Sequence, residues 1–299
     1  MMSKKKQRDD ASKSKRKSRK LKVFLIILIV LTVLIGATLG GNYFYNQNFG
    51  VTFYQITSDK VSNNIRIVEL ADLHNNEFGE NNSELIAKID ALKPDLIFYA
   101  GDMMNKGKNN DYSVLFDLSD KLSETAPIYA CYGNNELDQQ LFIDDTFKEQ
   151  LISHNVNLIS NEAKDVTVGN TAIQLIAVSD NVDQFDVETN NAKKFLDSLE
   201  SADDFRICLT HYPELFKEKL LNRDIDLAFC GHTHGGLIRL PFIGGLYTSG
   251  EGFMPEFTEG VETMDDGTEV VISRGLGNNH LVPRIFNQPE LVVVDICWY

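Results

Sequence analysis

Residues Arg66–Asn75 read RIVELADLHN, a short strand-forming apolar run that halts at an Asp and a His two positions apart. The same grammar recurs down the chain. Asp95–Asp102 (DLIFYAGD) stops on Asp102, and Ile128–Asn135 (IYACYGNN) stops on Asn134 and Asn135. Arg206–His211 (RICLTH) stops on His211, and Leu227–Gly236 (LAFCGHTHGG) delivers His232 and His234. Between these runs lie segments with helical spacing of their apolar residues: SELIAKIDAL from Ser83, YSVLFDLSDKL from Tyr112, FIDDTFKEQLISH from Phe142 and NNAKKFLDSLES from Asn190. Strands alternating with helices predict an α/β domain whose helices cover a sheet. Asp165–Asp180 (DVTVGNTAIQLIAVSD) reads as a hairpin split at Gly169 and Asn170. EVVISRG from Glu269 and ELVVVDI from Glu290 read as further strands. Strand–helix units on both sides of a hairpin-bearing centre predict two sheets layered face to face, with helices outside.

Ligands of open α/β sheets gather just beyond the carboxyl ends of the strands. Each strand-end residue taken alone has an ordinary explanation as a cap, a turn former or a core histidine. Taken together, four of the six histidines stand at strand ends beside Asp, Asn or Gly, and that shared placement predicts a coordination cluster. Carboxylate, carboxamide and imidazole without thiolate suit Mn²⁺, Fe²⁺ or Zn²⁺ in a reactive site more than a structural zinc. Asp72, His74, Asp102, Asn134, His211, His232 and His234 are too many for one tetrahedral ion and suit two. Two ions ~3.5–4 Å apart can clamp a phosphoryl group, generate hydroxide and stabilise an in-line transition state. One carboxylate must bridge them, and Asp102, alone at its strand end, is the natural choice.

The series D-x-H, GD, GN, H, GHxH, running from about Ile65 to Gly235, resembles the calcineurin-like metallophosphoesterases. The resemblance implies a metal-dependent phosphoesterase with an α/β (α+β) fold: a four-layer αββα sandwich of two mixed sheets flanked by helices. Carried over by position, it places Asp72, His74 and His234 on one ion, Asn134, His211 and His232 on the other, and Asp102 between them. The tail from GHTHGG through VVISRGLG also resembles a membrane-anchored bacterial branch related to UDP-diacylglucosamine hydrolases. The family's GN motif continues as GNH, then Asp or Glu, and here Asn135 stands in place of that His. Asn cannot serve as a general acid near neutral pH, although it can donate a hydrogen bond. A positioned acid–base group contributes ~10²–10⁴-fold, so its loss weakens catalysis without abolishing it. Leaving groups that need little protonation, such as aryl phosphates or phosphoanhydrides, are then the preferred ones. His280, Arg274 and Arg284 in the C-terminal tail are candidates for proton donation or phosphate contact.

The net charge of −14 is badly divided. Met1–Lys22 holds 11 Lys/Arg and 2 Asp/Glu, for +9; the remainder holds 18 and 41, for −23. An acidic body lacks the Lys and Arg that phosphate contacts require, which argues against a nucleic-acid partner. Val23–Gly41 (VFLIILIVLTVLIGATLGG) is 19 residues without a charge, close to the ~20 that cross a bilayer as a helix. It is longer than the usual ~7–15 residues of a signal-peptide core and lacks a good cleavage site, so it reads as an uncleaved anchor. The preceding Lys/Arg cluster favours a cytoplasmic N-terminus and an extracytoplasmic catalytic domain at the cell membrane. The expected organisation is thus a basic head (1–22), a transmembrane helix (23–41), a linker (42–60) and a metallophosphoesterase domain (61–299). Cys131, Cys208, Cys230 and Cys297 show no CxxC spacing and lie in or beside apolar runs, so buried free thiols are expected. The segment LPFIGGLYTSGEGFMPEF from Leu240 carries four aromatics and could receive a lipid tail or pack on itself. The expected function is a membrane-anchored dinuclear phosphoesterase. It would act on phosphodiester, pyrophosphate or activated phosphomonoester bonds of a phosphoester substrate, in envelope lipid or nucleotide-sugar metabolites. The alternative is a metal-containing surface binding protein whose turnover has been impaired at Asn135.

Overall fold

The computed structural model describes residues 2–105, 111–138, 146–179, 191–217, 219–240, 242–248, 252–277 and 283–299. They divide into two compact units, the first ending at Tyr45 and the second running from Asn46 to Tyr299. A single helix, α1 (Met2–Asn46), makes up the first and supplies the first residue of the second. Its stretch Arg19–Asn46 is long and apolar enough to cross a membrane.

The second unit is built on two six-stranded sheets. The first has the order β1 (Gly50–Thr57), β16 (Glu290–Cys297), β2 (Ile65–Leu70), β3 (Leu96–Tyr99), β4 (Ile128–Ala130), β5 (Val156–Leu158). The second has the order β14 (Gly260–Thr263), β15 (Glu269–Ile272), β9 (Leu227–Cys230), β8 (Phe205–Thr210), β7 (Thr171–Val178), β6 (Glu162–Val168). Both sheets are mixed. β2 through β5 run parallel, as do β7, β8, β9 and β15, whereas β16–β2, β6–β7 and β14–β15 are antiparallel. Two-residue ladders β10 (Arg239–Leu240)–β11 (Gly244–Gly245) and β12 (Tyr247–Thr248)–β13 (Gly252–Phe253) follow β9.

The two-residue period of a strand sorts its side chains into layers. On β2, Ile65 and Ile67 face the other sheet, while Val68 and Leu70 face the helices. On β7, Ile173, Leu175 and Ala177 face inward, and Ile176 and Val178 outward. Helix α2 (Ser83–Leu92) covers the first sheet with Leu85, Ile89 and Leu92, and α3 (Ser113–Leu122) does so with Leu115, Leu118 and Leu122. That spacing is one stripe of a 3.6-residue helix. Helix α5 (Thr146–Ser153) adds Phe147 and Leu151 to this layer, and α6 (Asn191–Ser198) covers the outside of the second sheet with Ala192 and Leu196. The result is the expected four-layer αββα sandwich, with the hairpin at Gly169 and Asn170 joining β6 to β7.

One element differs from expectation. Gly50–Thr57, inside the stretch read as a linker, is an edge strand, β1, paired in parallel along β16. Its half-exposed, mixed-polarity sequence has no clean apolar alternation to announce it. The cysteines are free thiols, three of them buried, and burial pushes the Cys131, Cys208 and Cys230 thiols well up. The three buried thiols are inert apolar packing.

Candidate metal centre

The parallel strands β2, β3 and β4 in one sheet and β8 and β9 in the other end at a common edge, where their loops are stitched together. Asp72 N–H donates to Gly101 O (3.0 Å), His74 N–H to Asp102 O (3.1 Å) and Gly231 N–H to His211 O (3.2 Å). The backbone there is strained. Asp72, His74, Asp102, His232 and His234 all have φ between 48° and 73°, a region that L-residues seldom occupy and that concentrates at functional sites. Gly101 (φ 85°) and Gly133 make the close packing possible, because a Cβ on Gly101 would lie 2.7 Å from Gly133 Cα.

The seven strand-end residues converge. Asp72 Oδ1 lies 3.8 Å from His74 Nε2, 3.4 Å from His234 Nε2 and 3.8 Å from His211 Nε2. Asp102 faces two ways, with Oδ2 3.8 Å from His74 Nε2 and Oδ1 3.7 Å from His211 Nε2. Asn134, which opens the short helix α4 (Asn134–Asp138), turns its Oδ1 to His211 Nε2 (3.2 Å) and His232 Nδ1 (3.0 Å). Asp72–His74–His234 and Asp72–Asp102–His211 each bring one ligand atom per residue within 4.8 Å of the others. These are two candidate metal clusters sharing Asp72.

The donor chemistry fits divalent cations. Asp72 Oδ1 is buried without a hydrogen-bond partner while three imidazole nitrogens face it. An uncompensated carboxylate in such a place is costly, and a cation removes the cost. Burial first, and Asp102 second, push the Asp72 carboxyl well up when no cation balances it. Burial pulls His211 down to about 4, which keeps its imidazole neutral, the form that binds metal. Its Nδ1 lies 2.8 Å from Ala100 O, leaving Nε2 for the cluster.

Three further residues support the cluster in ways that the sequence does not announce. Glu136, two places beyond Asn134, is buried and accepts from the N–H groups of Asp102 (3.0 Å), Met103 (3.0 Å) and Gly133 (2.8 Å). It clamps the GD and GN loops together, and burial, then Asp102, push its carboxyl up to about 8. Its signal was the acidic residue closing GNNE. Asn105 Nδ2 donates to His74 O (2.7 Å). Arg284, expected as a substrate contact, is only 2% exposed. It donates to the carbonyls of Gly277, Arg274 and Gly275, and its Nη2 lies 3.3 Å from His234 Nδ1. Arg274 forms ion pairs with Glu259 (3.3 Å) and Glu290 (3.0 Å). His280 lies outside the described residues.

Asn135, the departure from the family motif, turns inward. Its side chain is 1% exposed, with Nδ2 2.8 Å from Met104 O and 3.0 Å from His74 Nδ1, while its N–H donates to Asp102 Oδ1 (2.7 Å).

Comparison with known proteins agrees with this geometry. The chain is 27% identical over 237 residues to phosphodiesterase YaeI of Escherichia coli, covering 77% of this chain and 82% of that protein. It is 25% identical over 271 residues to the uncharacterized metallophosphoesterase YkuE of Bacillus subtilis (87% and 91% covered). It is also 25% identical over 280 residues to the UDP-2,3-diacylglucosamine pyrophosphatase LpxG of Chlamydia muridarum (79% and 84% covered). The family model for calcineurin-like phosphoesterases matches residues 65–236, which run from the first residue of β2 to the end of the GHTHGG turn. This chain therefore belongs to the calcineurin-like phosphoesterases, a family of metal-dependent hydrolases.

Proposed function

We propose that this protein is a membrane-anchored phosphoesterase with two divalent ions, hydrolysing phosphodiester, pyrophosphate or activated phosphomonoester bonds. The observation that carries the reading is Asp102, whose two carboxylate oxygens face different imidazoles, His74 and His211. Asp72, His74 and His234 would hold one ion, Asn134, His211 and His232 the other, with Asp102 between them. Such a pair would supply Lewis acidity toward phosphoryl oxygens and would lower the pKa of a bound water toward neutrality. The chain's own residues do the rest: Glu136 fixes the loop bearing Asp102, Asn135 fixes the ring of His74, and Arg284 holds His234. Asn135 is spent on these contacts, so the leaving group receives no proton from it, and substrates with good leaving groups are favoured. The ions are Mn²⁺, Fe²⁺ or Zn²⁺ on ligand chemistry.

The apolar part of α1 is the anchor, and the basic cluster before it argues for a cytoplasmic N-terminus with the catalytic unit outside the cell membrane. Envelope metabolites are then the substrates within reach. LpxG, named for a diacylated sugar nucleotide, makes a lipid-linked pyrophosphate the leading class. The test is hydrolysis by the full chain in detergent, stripped of metal and reloaded with Mn²⁺, of bis-p-nitrophenyl phosphate and p-nitrophenyl phosphate, with Asp102→Asn as the blank. Turnover above the blank is expected. Silence on both substrates with metal bound would favour instead a surface binding protein that retains the ions.

A further inference from the structure

Beyond the GHTHGG turn, the backbone builds a small platform out of four separate segments. Ile238 bridges Ile285 in parallel, Leu246 N–H donates to Ile238 O (2.8 Å), and Met254 N–H donates to Leu246 O (2.9 Å). Its segments carry Leu240, Phe242, Ile243, Phe253, Met254 and Phe286, all exposed. Phe253 is 82% exposed, and Phe242 more so. Isolated exposed apolar residues are ordinary, but six large ones on a hydrogen-bonded platform mark an interaction surface. The platform packs directly on the metal-site turn. Arg239 Nη1 donates to Gly235 O (2.7 Å), and a Cβ on Gly236 would meet Gly245 Cα at 2.7 Å.

The chain's own route bears on what could cover this surface. Asn46, the last residue of α1, donates from Nδ2 to Arg284 O (2.8 Å), one residue from the Ile285 bridge and two from exposed Phe286. Asn46 lies five residues past Gly41, the end of the uncharged run, or about 8 Å of helix rise. Tyr43, Phe44 and Tyr45 between them are exposed aromatics, the residue type that settles at headgroup level. Five residues of chain and one hydrogen bond thus separate the uncharged run from the platform's rim.

We infer that this apolar platform docks into the headgroup–acyl boundary of the membrane that holds α1, presenting the metal site to phosphoester groups carried by lipids. The inference rests on the reading of α1 as a membrane anchor. Docked side chains exchange water for acyl chains, and the turn bearing His234 then lies next to the lipid headgroups. Amphiphilic substrates need not leave the bilayer to reach it.

The test uses the full chain bearing Cys297→Ser, which removes the half-exposed thiol and leaves three that are buried. Single sites Phe253→Cys, Ile152→Cys and Tyr45→Cys carry an environment-sensitive fluorophore. The protein is reconstituted into phosphatidylcholine vesicles with or without a lipid bearing a spin-label quencher near the headgroup. Residues 253 and 152 are both exposed in this structure, so labelling leaves the core intact. Quenching at 253 about threefold or more above that at 152, with 45 quenched as well, is expected for insertion to headgroup depth. Quenching at 45 without an excess at 253 over 152 overturns the docking and leaves the anchor reading standing. No quenching at 45 overturns both.

Discussion

His74 Nε2 and His234 Nε2 lie 3.2 Å apart, their rings stacked at an interplanar angle of 15°, although 160 positions separate them in the chain. Two ring nitrogens held that close, with Asp72 Oδ1 3.8 Å and 3.4 Å from them, are three atoms placed to serve together as ligands of one cation. Chelation followed by saturating Mn²⁺ or Zn²⁺ should therefore raise the thermal midpoint. Ligand at a hundredfold excess over Kd contributes about 2.7 kcal/mol, or about 5–10 °C for a unit of this size. Calorimetry in detergent reads it, and an unchanged midpoint with no ion bound would remove the metal centre.

Asp102→Asn preserves shape and removes the charge between the two groups. Turnover of bis-p-nitrophenyl phosphate should fall by about 10²–10³-fold, the usual cost of losing one electrostatic group from such a site. Bound metal per chain should fall with it. Activity equal to the parent chain would shift the bridging role to Asp72, which both candidate clusters share.

Asn135→Ala separates positioning from proton donation. Because Asn135 Nδ2 reaches His74 Nδ1 (3.0 Å) and Met104 O (2.8 Å), its loss should weaken metal affinity by about 10–100-fold. The ratio of rates on aryl and alkyl phosphoesters should stay constant. A selective loss on the alkyl substrates would return Asn135 to the leaving group.

Glu136→Ala strands three buried N–H groups, those of Asp102, Met103 and Gly133. Each unsatisfied donor costs about 1–3 kcal/mol, so destabilisation of about 3 kcal/mol or more is expected in denaturant unfolding. Glu136→Gln, which keeps one acceptor oxygen, should be milder.

Arg284→Met tests whether the buried guanidinium holds His234 or meets substrate. A positioning role predicts a lower kcat and weaker metal binding with KM nearly unchanged. A rise in KM alone would make Arg284 a phosphate ligand after all.

The candidate metal ligands were legible because each ends a local apolar run, and the run itself gives its direction. Asp72, His74, Asp102, Asn134, His211, His232 and His234 are all found at one edge for that reason. What surrounds them was not legible. Glu136 acts on backbone N–H groups of a loop 33 and 34 residues away, a juxtaposition that no local pattern encodes. Arg284 looks like any polar tail residue until its burial is known, and burial of an arginine depends on carbonyls supplied by other segments. Asn135 could be seen as a substitution, but whether its amide pointed at substrate or at His74 depended on three-dimensional packing. Strand β1 escaped notice because an edge strand with one half-wet face carries no sharp alternation.

That same edge strand orders events in time. β1, next to α1, pairs among the described residues with β16, with Gly50 opposite Glu290, 240 residues later. β16 also lies between β1 and β2, so the first sheet cannot be assembled from its N-terminal end as the ribosome delivers it. Until residues 290–297 emerge, the flank of β2 that pairs with β16 is an open edge inviting a wrong partner. Contacts this distant in sequence slow folding through their loop-closure entropy. A nascent chain stalled before Glu290 should therefore remain sensitive to protease, and emergence of β16 should convert it to the resistant form.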